Sequence, residues 1–352
     1  MKILFVGGGS VGHIAPAVAV WEAMREYLPA GQEAQAHFVC SPRPDDATFL
    51  REHNLPFSIL NAPRLSIFFP FAFLTATGRA KKILESQNPD IIFSKGSYVS
   101  LPLCYSAKKK NIPIVLHESD SVSGNANRIV SKWADQICTG FPSNFHYTGN
   151  PLRAGITQGS KEEGLLIAGF DGTKPVLLVI GGSQGAKALN EAITNQLDDL
   201  LLRCDIIHIT GRKKMQITEN FNPPTDHYYR IEFANEELPH LYACADLALS
   251  RAGAGSIAEL AANGIPSIFV PLRGVGHDHQ YSNAKVTTQH GCVHLEQTDL
   301  PKKLLPTVHR LIADDSKRIE MGRAIQGLSK PDAALQIAKI IAQTLDSCDG
   351  DQ

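Results

Sequence analysis

His13 closes a glycine turn that follows an apolar run, Lys2-Ile-Leu-Phe-Val-Gly-Gly-Gly-Ser-Val-Gly-His-Ile-Ala-Pro16. A histidine where a helix begins points at whatever the turn holds. A lone histidine is otherwise most often structural, and that alternative stands beside it. A second such turn, Pro175-Val-Leu-Leu-Val-Ile-Gly-Gly-Ser-Gln-Gly-Ala186, carries Ser183. Strands that stop in glycines let the backbone approach a ligand closely. The helix that follows offers unpaired N–H groups and a positive dipole end to an anion. In a third stretch, Ser250-Arg-Ala-Gly-Ala-Gly-Ser-Ile-Ala-Glu-Leu-Ala-Ala-Asn-Gly-Ile-Pro266, Glu259 lies about one turn inside a helix. A carboxylate there can accept two hydrogen bonds from vicinal ribose hydroxyls; favouring the helix dipole is the plainer reading.

Three further stretches are polar. Gly276-His-Asp-His-Gln-Tyr-Ser-Asn-Ala284 suits the hydroxyls of a sugar. A zinc site through His277 and His279 is a poor reading, since no third ligand stands at a standard spacing. His117-Glu-Ser-Asp120 follows a short apolar strand. Thr148-Gly-Asn-Pro-Leu-Arg153 sits at a linker, where an arginine can neutralise a diphosphate. Structural ion pairing is the alternative for Arg153. Gly7, Gly9 and Gly12 satisfy G-x-G-x-x-G, but the second strand ends in Cys40-Ser41-Pro42 and Asp45 and Asp46 come only beyond Pro44. The ribose-binding acid of a dinucleotide fold is therefore missing. The turn also lacks the Gly-Lys-Ser/Thr of a P-loop, which argues against ATP hydrolysis.

These turns need strands and helices to hold them. The first half predicts strands Ile3–Val6, Ala36–Cys40, Ile91–Phe93, Ile114–Leu116 and Gln136–Thr139, with helices such as Ala15–Tyr27 and Phe71–Gln87 between them. A second series predicts Val176–Ile180, Ile206–Thr210, Tyr229–Glu232, Leu247–Ser250, Ser267–Val270 and Val293–Leu295. Strands alternating with helices imply parallel sheets, with functional loops at the carboxyl ends of the strands. The expectation is a pair of doubly wound α/β domains facing each other across a cleft. The first covers residues 1–155 and the second 156–332, with the linker near Asn150–Gly159. Ala334, Ile337, Ala338, Ile341 and Leu345 share one face of a last helix, 333–346.

The chain has 352 residues, 43% hydrophobic and 20% charged, with a net charge of −1. That length favours two domains, and the neutral balance does not suit a nucleic-acid binder. Seven cysteines are scattered singly with no ligand spacing, which reads as reduced, buried thiols in a cytoplasmic protein. The apolar stretch Leu65–Leu74 is about half the roughly 20 residues of a spanning helix and contains Pro70. No signal peptide or membrane span is expected.

In order, Gly7–Pro16, Lys95-Gly-Ser-Tyr-Val-Ser-Leu-Pro102, His117–Asn127, Gly149–Arg153, Gly181–Ala186, Ser250–Pro266 and Gln280–Ala284 resemble one family over nearly the whole chain. It is the bacterial peptidoglycan glycosyltransferase family that adds N-acetylglucosamine to the undecaprenyl-diphospho-muramoylpentapeptide lipid. The resemblance implies the GT-B fold, two Rossmann-like doubly wound domains separated by a cleft, with the last helix crossing back to the first. It implies UDP-N-acetylglucosamine in the C-terminal domain, with Ser183 near phosphate. Ala254, Gly255, Ser256, Ile257, Ala258 and Glu259 form the donor loop, Glu259 on the ribose. Gln280 reads the sugar, Arg153 lies near the donor, and backbone near Phe233–Ala234 meets uracil, where Glu236–His240 reads as an insertion. Ser10, Val11 and Gly12 match the loop facing the donor and the acceptor diphosphate.

The chain departs from the family in places. Val11 stands where many members have glycine, Ser119-Asp120 where many have Gln-Asn, and His279 where a glutamine is frequent.

The implied reaction is direct displacement at the anomeric carbon with inversion, with no metal and no cofactor. The helix N-terminus at Ser183 and the charge of Arg153 stabilise the leaving diphosphate. His13 is the first candidate for the general base, since an imidazole accepts a proton near neutral pH; Asp120 or Glu118 is the alternative. The lipid acceptor implies an anionic membrane surface as a partner, on the cytoplasmic face of the plasma membrane. Phe68, Phe69, Phe71 and Phe73, followed by Arg79, Lys81 and Lys82, suit shallow insertion there, with an ordinary core helix as the alternative. A cell-wall synthesis complex is a further implied partner. The rival readings are another GT-B enzyme of UDP-sugars, such as a 2-epimerase or another lipid glycosyltransferase, and a non-catalytic UDP-sugar-binding module.

Overall fold

The structure is a computed structural model that describes residues 1–9, 11–29, 33–63, 69–182, 185–211, 225–274 and 278–349. The chain divides into two compact units, Met1–Arg153 with Lys330–Gln352, and Ala154–Ser329.

In the first unit, seven parallel strands form one sheet in the order β3-β2-β1-β4-β5-β6-β7. They are β1 (Lys2–Val6), β2 (Gln35–Cys40), β3 (Phe57–Ile59), β4 (Ile91–Ser94), β5 (Ile114–Glu118), β6 (Gln136–Thr139) and β7 (His146–Tyr147). The apolar runs that predicted the central strands are continuous because both faces of a parallel sheet are covered. Alternation along β1 shows it. Ile3 and Phe5 point into one core with Val18, Trp21 and Phe38. Leu4 and Val6 point into the other with Leu84, Leu103 and Leu116. Phe5 stacks on Phe38 with ring centres 4.9 Å apart.

The helix Ala333–Asp349 belongs to this unit. Its Ile337, Ala338 and Ile341 are buried in the core that holds Ile3 and Phe5, with Ala334 and Leu345 packed at the edge. It lies against the helix Val11–Tyr27. That helix starts four residues before the expected Ala15, so Pro16 is inside it rather than at its entry. Proline has no N–H for the carbonyl four residues back, and so Gly12 is released from the helical ladder.

In the second unit, six parallel strands run in the order β10-β9-β8-β11-β12-β13. They are β8 (Val176–Ile180), β9 (Asp205–Ile209), β10 (Tyr228–Ile231), β11 (Leu247–Ser250), β12 (Ser267–Phe269) and β13 (Val293–His294). Counted within each unit, both sheets share the order 3-2-1-4-5-6 of doubly wound nucleotide folds. All eleven predicted strands are present. The two that were not anticipated, β3 and β7, are only three and two residues long.

Cys40, Cys104, Cys138, Cys204, Cys244 and Cys292 are free and buried. No helix among the described residues is long and apolar enough to cross a membrane. The helix Phe69–Gln87 carries Phe71 and Leu74 at 77% and 69% exposure. Phe73, expected to face out beside them, instead turns inward. It packs on the core with its ring edge-on to Tyr105, since one helical face must cover the sheet. Phe68 lies outside the described residues, as does the side chain of Phe69.

Candidate functional site

Because β1, β4 and β5 are neighbours, their carboxyl ends bring three of the singled-out segments of the first unit together. The glycine turn after β1 is braced from the end of β2. Asp46 accepts from the Gly9 N–H at 2.8 Å and from the Ser41 hydroxyl at 2.6 Å. Arg43 donates to the Gly9 carbonyl at 2.5 Å. Asp46 is fully buried by these bonds and shapes the turn rather than reaching for a ribose. Ser10 lies outside the described residues, as does the side chain of Val11; Gly12 is exposed in the first turn of the helix.

His13 is half-buried, and its Nδ1 is enclosed with no hydrogen-bond partner. Burial lowers its pKa below the ordinary 6.5, and the Lys95 charge lowers it further against the opposing pull of Asp120. The imidazole is therefore neutral near pH 7, the form that accepts a proton. Asp120 follows β5 half-buried, and its N–H donates to Glu118 Oε1 at 3.0 Å. Glu118 also accepts at Oε2 from the Asn127 amide at 2.8 Å and the Gly124 N–H at 3.3 Å. Both its oxygens are thus engaged in folding the 118–127 loop. Burial still holds its pKa above the usual carboxylate value. Arg153 is half-buried at the end of the unit.

In the second unit, the turn after β8 contains Gly182 and Gly185, both at positive φ. A Cβ on Gly185 would lie 2.1 Å from the Thr210 carbonyl oxygen, so no side chain fits there. That carbonyl accepts from the Asn190 amide at 3.0 Å, and Asn190 Oδ1 accepts from His208 Nε2 at 3.1 Å. The Tyr228 hydroxyl closes the chain on His208 Nδ1 at 2.8 Å. Ser183 lies outside the described residues.

The loop after β11 opens the helix Ala254–Ala262. Its N-cap is Gly253, which brings no side-chain cap, so the N–H groups of the first turn stay available to an anion. Ile257 and Ala254 are buried, and the Ile257 N–H is spent on the Gly253 carbonyl at 2.9 Å. Gly255 is exposed; Ser256, Ala258 and Glu259 are half-buried. Glu259 is the sixth residue of the helix, beyond the first turn where a carboxylate serves the dipole. Its Oε2 accepts instead from the hydroxyl of buried Tyr242 at 2.8 Å.

Two side chains lock the neighbouring loops. Arg251 donates to the Val270 carbonyl at 3.0 Å and to Gln297 Oε1 at 2.7 Å. Asn283 donates to the Ala252 carbonyl at 3.1 Å, tying the helix His279–Gln289 to the loop. Gln280, in the first turn of that helix, accepts the Leu272 N–H at Oε1, 2.9 Å away. Glu259 and Gln280 thus ride on the helices that follow β11 and β12, which are neighbours in the sheet. Tyr242, Arg251 and Asn283 were not anticipated in these roles, although Arg251 and Asn283 lie inside two of the quoted motifs. Phe233–Ala234 lies one residue beyond β10, and Glu236–His240, read as an insertion, spans the entry and first half of the helix Leu238–Ala243.

Residues 3–139 match the glycosyltransferase family 28 N-terminal domain, and residues 176–337 the glycosyltransferase family 28 C-terminal domain. The chain is 32% identical over 360 aligned positions to the UDP-N-acetylglucosamine--N-acetylmuramyl-(pentapeptide) pyrophosphoryl-undecaprenol N-acetylglucosamine transferase of Lachnoclostridium phytofermentans, covering 97% of this chain and 98% of the relative. It is 36% identical over 301 positions to the enzyme of the same name from Clostridium novyi, covering 81% and 82%. Among solved structures, Acinetobacter baumannii MurG superposes with a TM-score of 0.77 at 25% identity, covering 97% and 99% of the two chains. UDP-GlcNAc 2-epimerase from Neisseria meningitidis superposes at 0.69 with 14% identity over 97% and 100%, a likeness of fold alone. The chain belongs to the UDP-N-acetylglucosamine--N-acetylmuramyl-(pentapeptide) pyrophosphoryl-undecaprenol N-acetylglucosamine transferase family, on two family 28 glycosyltransferase domains with the GT-B fold.

Proposed function

We propose that this chain transfers N-acetylglucosamine from UDP-N-acetylglucosamine to the 4-hydroxyl of the muramic acid in undecaprenyl-diphospho-muramoylpentapeptide, during peptidoglycan synthesis. Relatives of that printed activity match end to end, and the site chemistry agrees. The observation that carries the donor half is the oriented Glu259 carboxylate beside an uncapped helix start. The carboxylate takes the ribose hydroxyls, the first-turn N–H groups take the diphosphate, and Gln280 takes the sugar.

The acceptor oxygen attacks the anomeric carbon, and the bond from that carbon to the β-phosphate oxygen breaks with both electrons leaving on UDP. One displacement inverts the anomeric configuration. The proton of the attacking hydroxyl passes to His13, whose Nδ1 is unpartnered and whose neutral form prevails. Asp120 is the second candidate. Glu118, with both oxygens engaged, is the weakest. Charge on the departing diphosphate falls on backbone donors rather than on a metal, each worth on the order of 3–4 kcal/mol in the transition state. Chelator in the assay is then expected to leave turnover unchanged.

His13→Ala is expected to lower kcat about 10²–10⁴-fold, the range of a lost general base, with UDP affinity retained. Radiolabel transfer to a lipid-linked muramoyl acceptor measures the first and calorimetry the second. Near-normal transfer by that variant removes His13 from the role. Release of an epimerised sugar nucleotide without transfer supports the 2-epimerase reading instead. Binding of UDP with neither product supports a non-catalytic module.

The acceptor lipid calls for a membrane surface. Phe71 and Leu74 are exposed one turn apart, and Arg79, Lys81 and Lys82 are exposed further along the same helix. Apolar groups beside cations suit peripheral attachment to an anionic, cytoplasm-facing leaflet.

A further inference from the structure

Tyr281 stands beside Gln280 in the stretch that suits a sugar, and the transfer reading gives it no task. It lies half-buried in the first turn of the helix His279–Gln289. That helix has no side-chain cap, and its N-cap Asp278 has a φ of 57°, the left-handed backbone that few residues other than glycine adopt. Contacts from outside the helix therefore set where its first turn lies.

Arg273 supplies one from the loop after β12. Its guanidinium carbon is 3.5 Å from the centre of the Tyr281 ring. The same guanidinium donates to both oxygens of Glu296, from Nη2 to Oε1 at 2.6 Å and from Nε to Oε2 at 3.1 Å. Glu296 comes two residues after β13, so the loop after β12 is fastened to the end of the neighbouring strand. His294, the last residue of β13, sets its ring edge-on to Tyr281 with centres 5.5 Å apart. Lys285, one turn along the helix, places its ammonium 4.8 Å from the same ring centre. A planar guanidinium can stack on a ring and grip a carboxylate with two bonds at once, which a lysine cannot.

Gln280 is tied to the same point of the loop. Its Oε1 accepts from the N–H of Leu272, the residue before Arg273, at 2.9 Å. The N–H of Gly274, the residue after Arg273, donates to Asp278 Oδ1 at 2.7 Å. Three successive loop residues thus hold Gln280, Tyr281 and Asp278 in turn. The Gln280 bond alone is a neutral one that water can replace. The stacked and ion-paired Arg273 beside it keeps the two ends of the loop in register.

We propose that Arg273, Tyr281 and Glu296 are positioning residues that clamp the first turn of this helix and hold Gln280 in place for the hexose of the donor. The proposal rests on the reading of Gln280 as the residue that meets the sugar. The clamp lies near the surface, with the side chains of Arg273 and Glu296 47% and 33% exposed, so its removal empties no core.

Arg273→Gln and Tyr281→Leu test it, with the KM for UDP-N-acetylglucosamine measured beside the inhibition constant of UDP, which has no hexose. Each variant is expected to raise KM about three- to tenfold, the range for a stacked cation and its bidentate ion pair, while UDP inhibits as before. Tyr281→Phe keeps the ring and should keep the KM. Adding Arg273→Gln to Gln280→Ala should raise KM no further than Gln280→Ala does, because residues that act through one contact are not additive. Far-UV circular dichroism checks folding, and Glu296→Gln replaces either variant that does not fold. An unchanged KM in the folded variants, full additivity with Gln280→Ala, or UDP inhibition that weakens in step with KM overturns the clamp. A Gln280→Ala variant with an unchanged KM withdraws the reading of Gln280, and the proposal with it.

Discussion

Glu259 shows how one hydroxyl can aim a carboxylate. Its Oε2 is held at 2.8 Å by Tyr242, which is buried in the helix Leu238–Ala243. Tyr242→Phe should raise the donor KM several-fold and leave kcat within about twofold, as expected for one hydrogen bond to a charged group worth about 1.5–3 kcal/mol at most. Steady-state kinetics with UDP-N-acetylglucosamine decide it, and an unchanged KM would assign Tyr242 to packing alone. Glu259 and Gln280 were legible because small residues, a helix start and a polar side chain stand at fixed offsets from a strand end. Tyr242 was not, since its partner is 17 positions away and nothing local marks it. Lys95 was quoted only as part of a motif, because a lysine in a loop reads as solvated. Asp46 was read as arriving too late for a ribose, and the structure gives it the different task of bracing Gly9.

At the scale of elements, periodicity found every strand of the sheet centres, where continuous apolar runs have to be buried on both faces. It missed β3 and β7, whose few residues at the sheet edge are half-buried or exposed and carry little pattern. Helix starts were harder. The first helix was expected from Ala15, but it starts at Val11 and takes in Pro16 five residues further on. The helix Phe69–Gln87 has one face against the sheet and one bearing Phe71 and Leu74. Phe71→Ser with Leu74→Ser should weaken co-sedimentation with anionic vesicles by about tenfold or more and leave transfer to a soluble acceptor analogue intact. Binding that equals the unaltered protein's would return this helix to a purely structural role. On the opposite face of the first sheet, Ile337→Ala should cost about 2–5 kcal/mol of that unit's stability, the range for emptying a fully buried aliphatic site. Denaturant unfolding measures it.

At the scale of the molecule, each unit holds a neutral, buried histidine that resists acid. Burial takes His208 down to about 3 and holds His117 well below 6.5. The unfolded chain takes up these protons as pH falls through about 6.5, whereas the folded chain refuses them. Stability is therefore fully present above that value. It declines at up to about 1.4 kcal/mol per pH unit and per histidine as pH falls from about 6.5, and for His208 the decline continues to about 3. Melting temperatures measured between pH 7 and 4 should fall, and His208→Gln should flatten the slope. A slope unchanged in that variant would show that other groups govern acid unfolding.

The helix Ala333–Asp349 follows the whole of Ala154–Ser329 along the chain, yet it seats the helix on which His13 rides. The core around Ile14 and Trp21 is therefore closed by residues that come into the sequence only after the second unit, Ile337, Ala338 and Ile341. A variant cut after Ser329 would leave that core without Ile337, Ala338 and Ile341, and is expected to loosen the helix that carries His13 while sparing the sheet of the second unit.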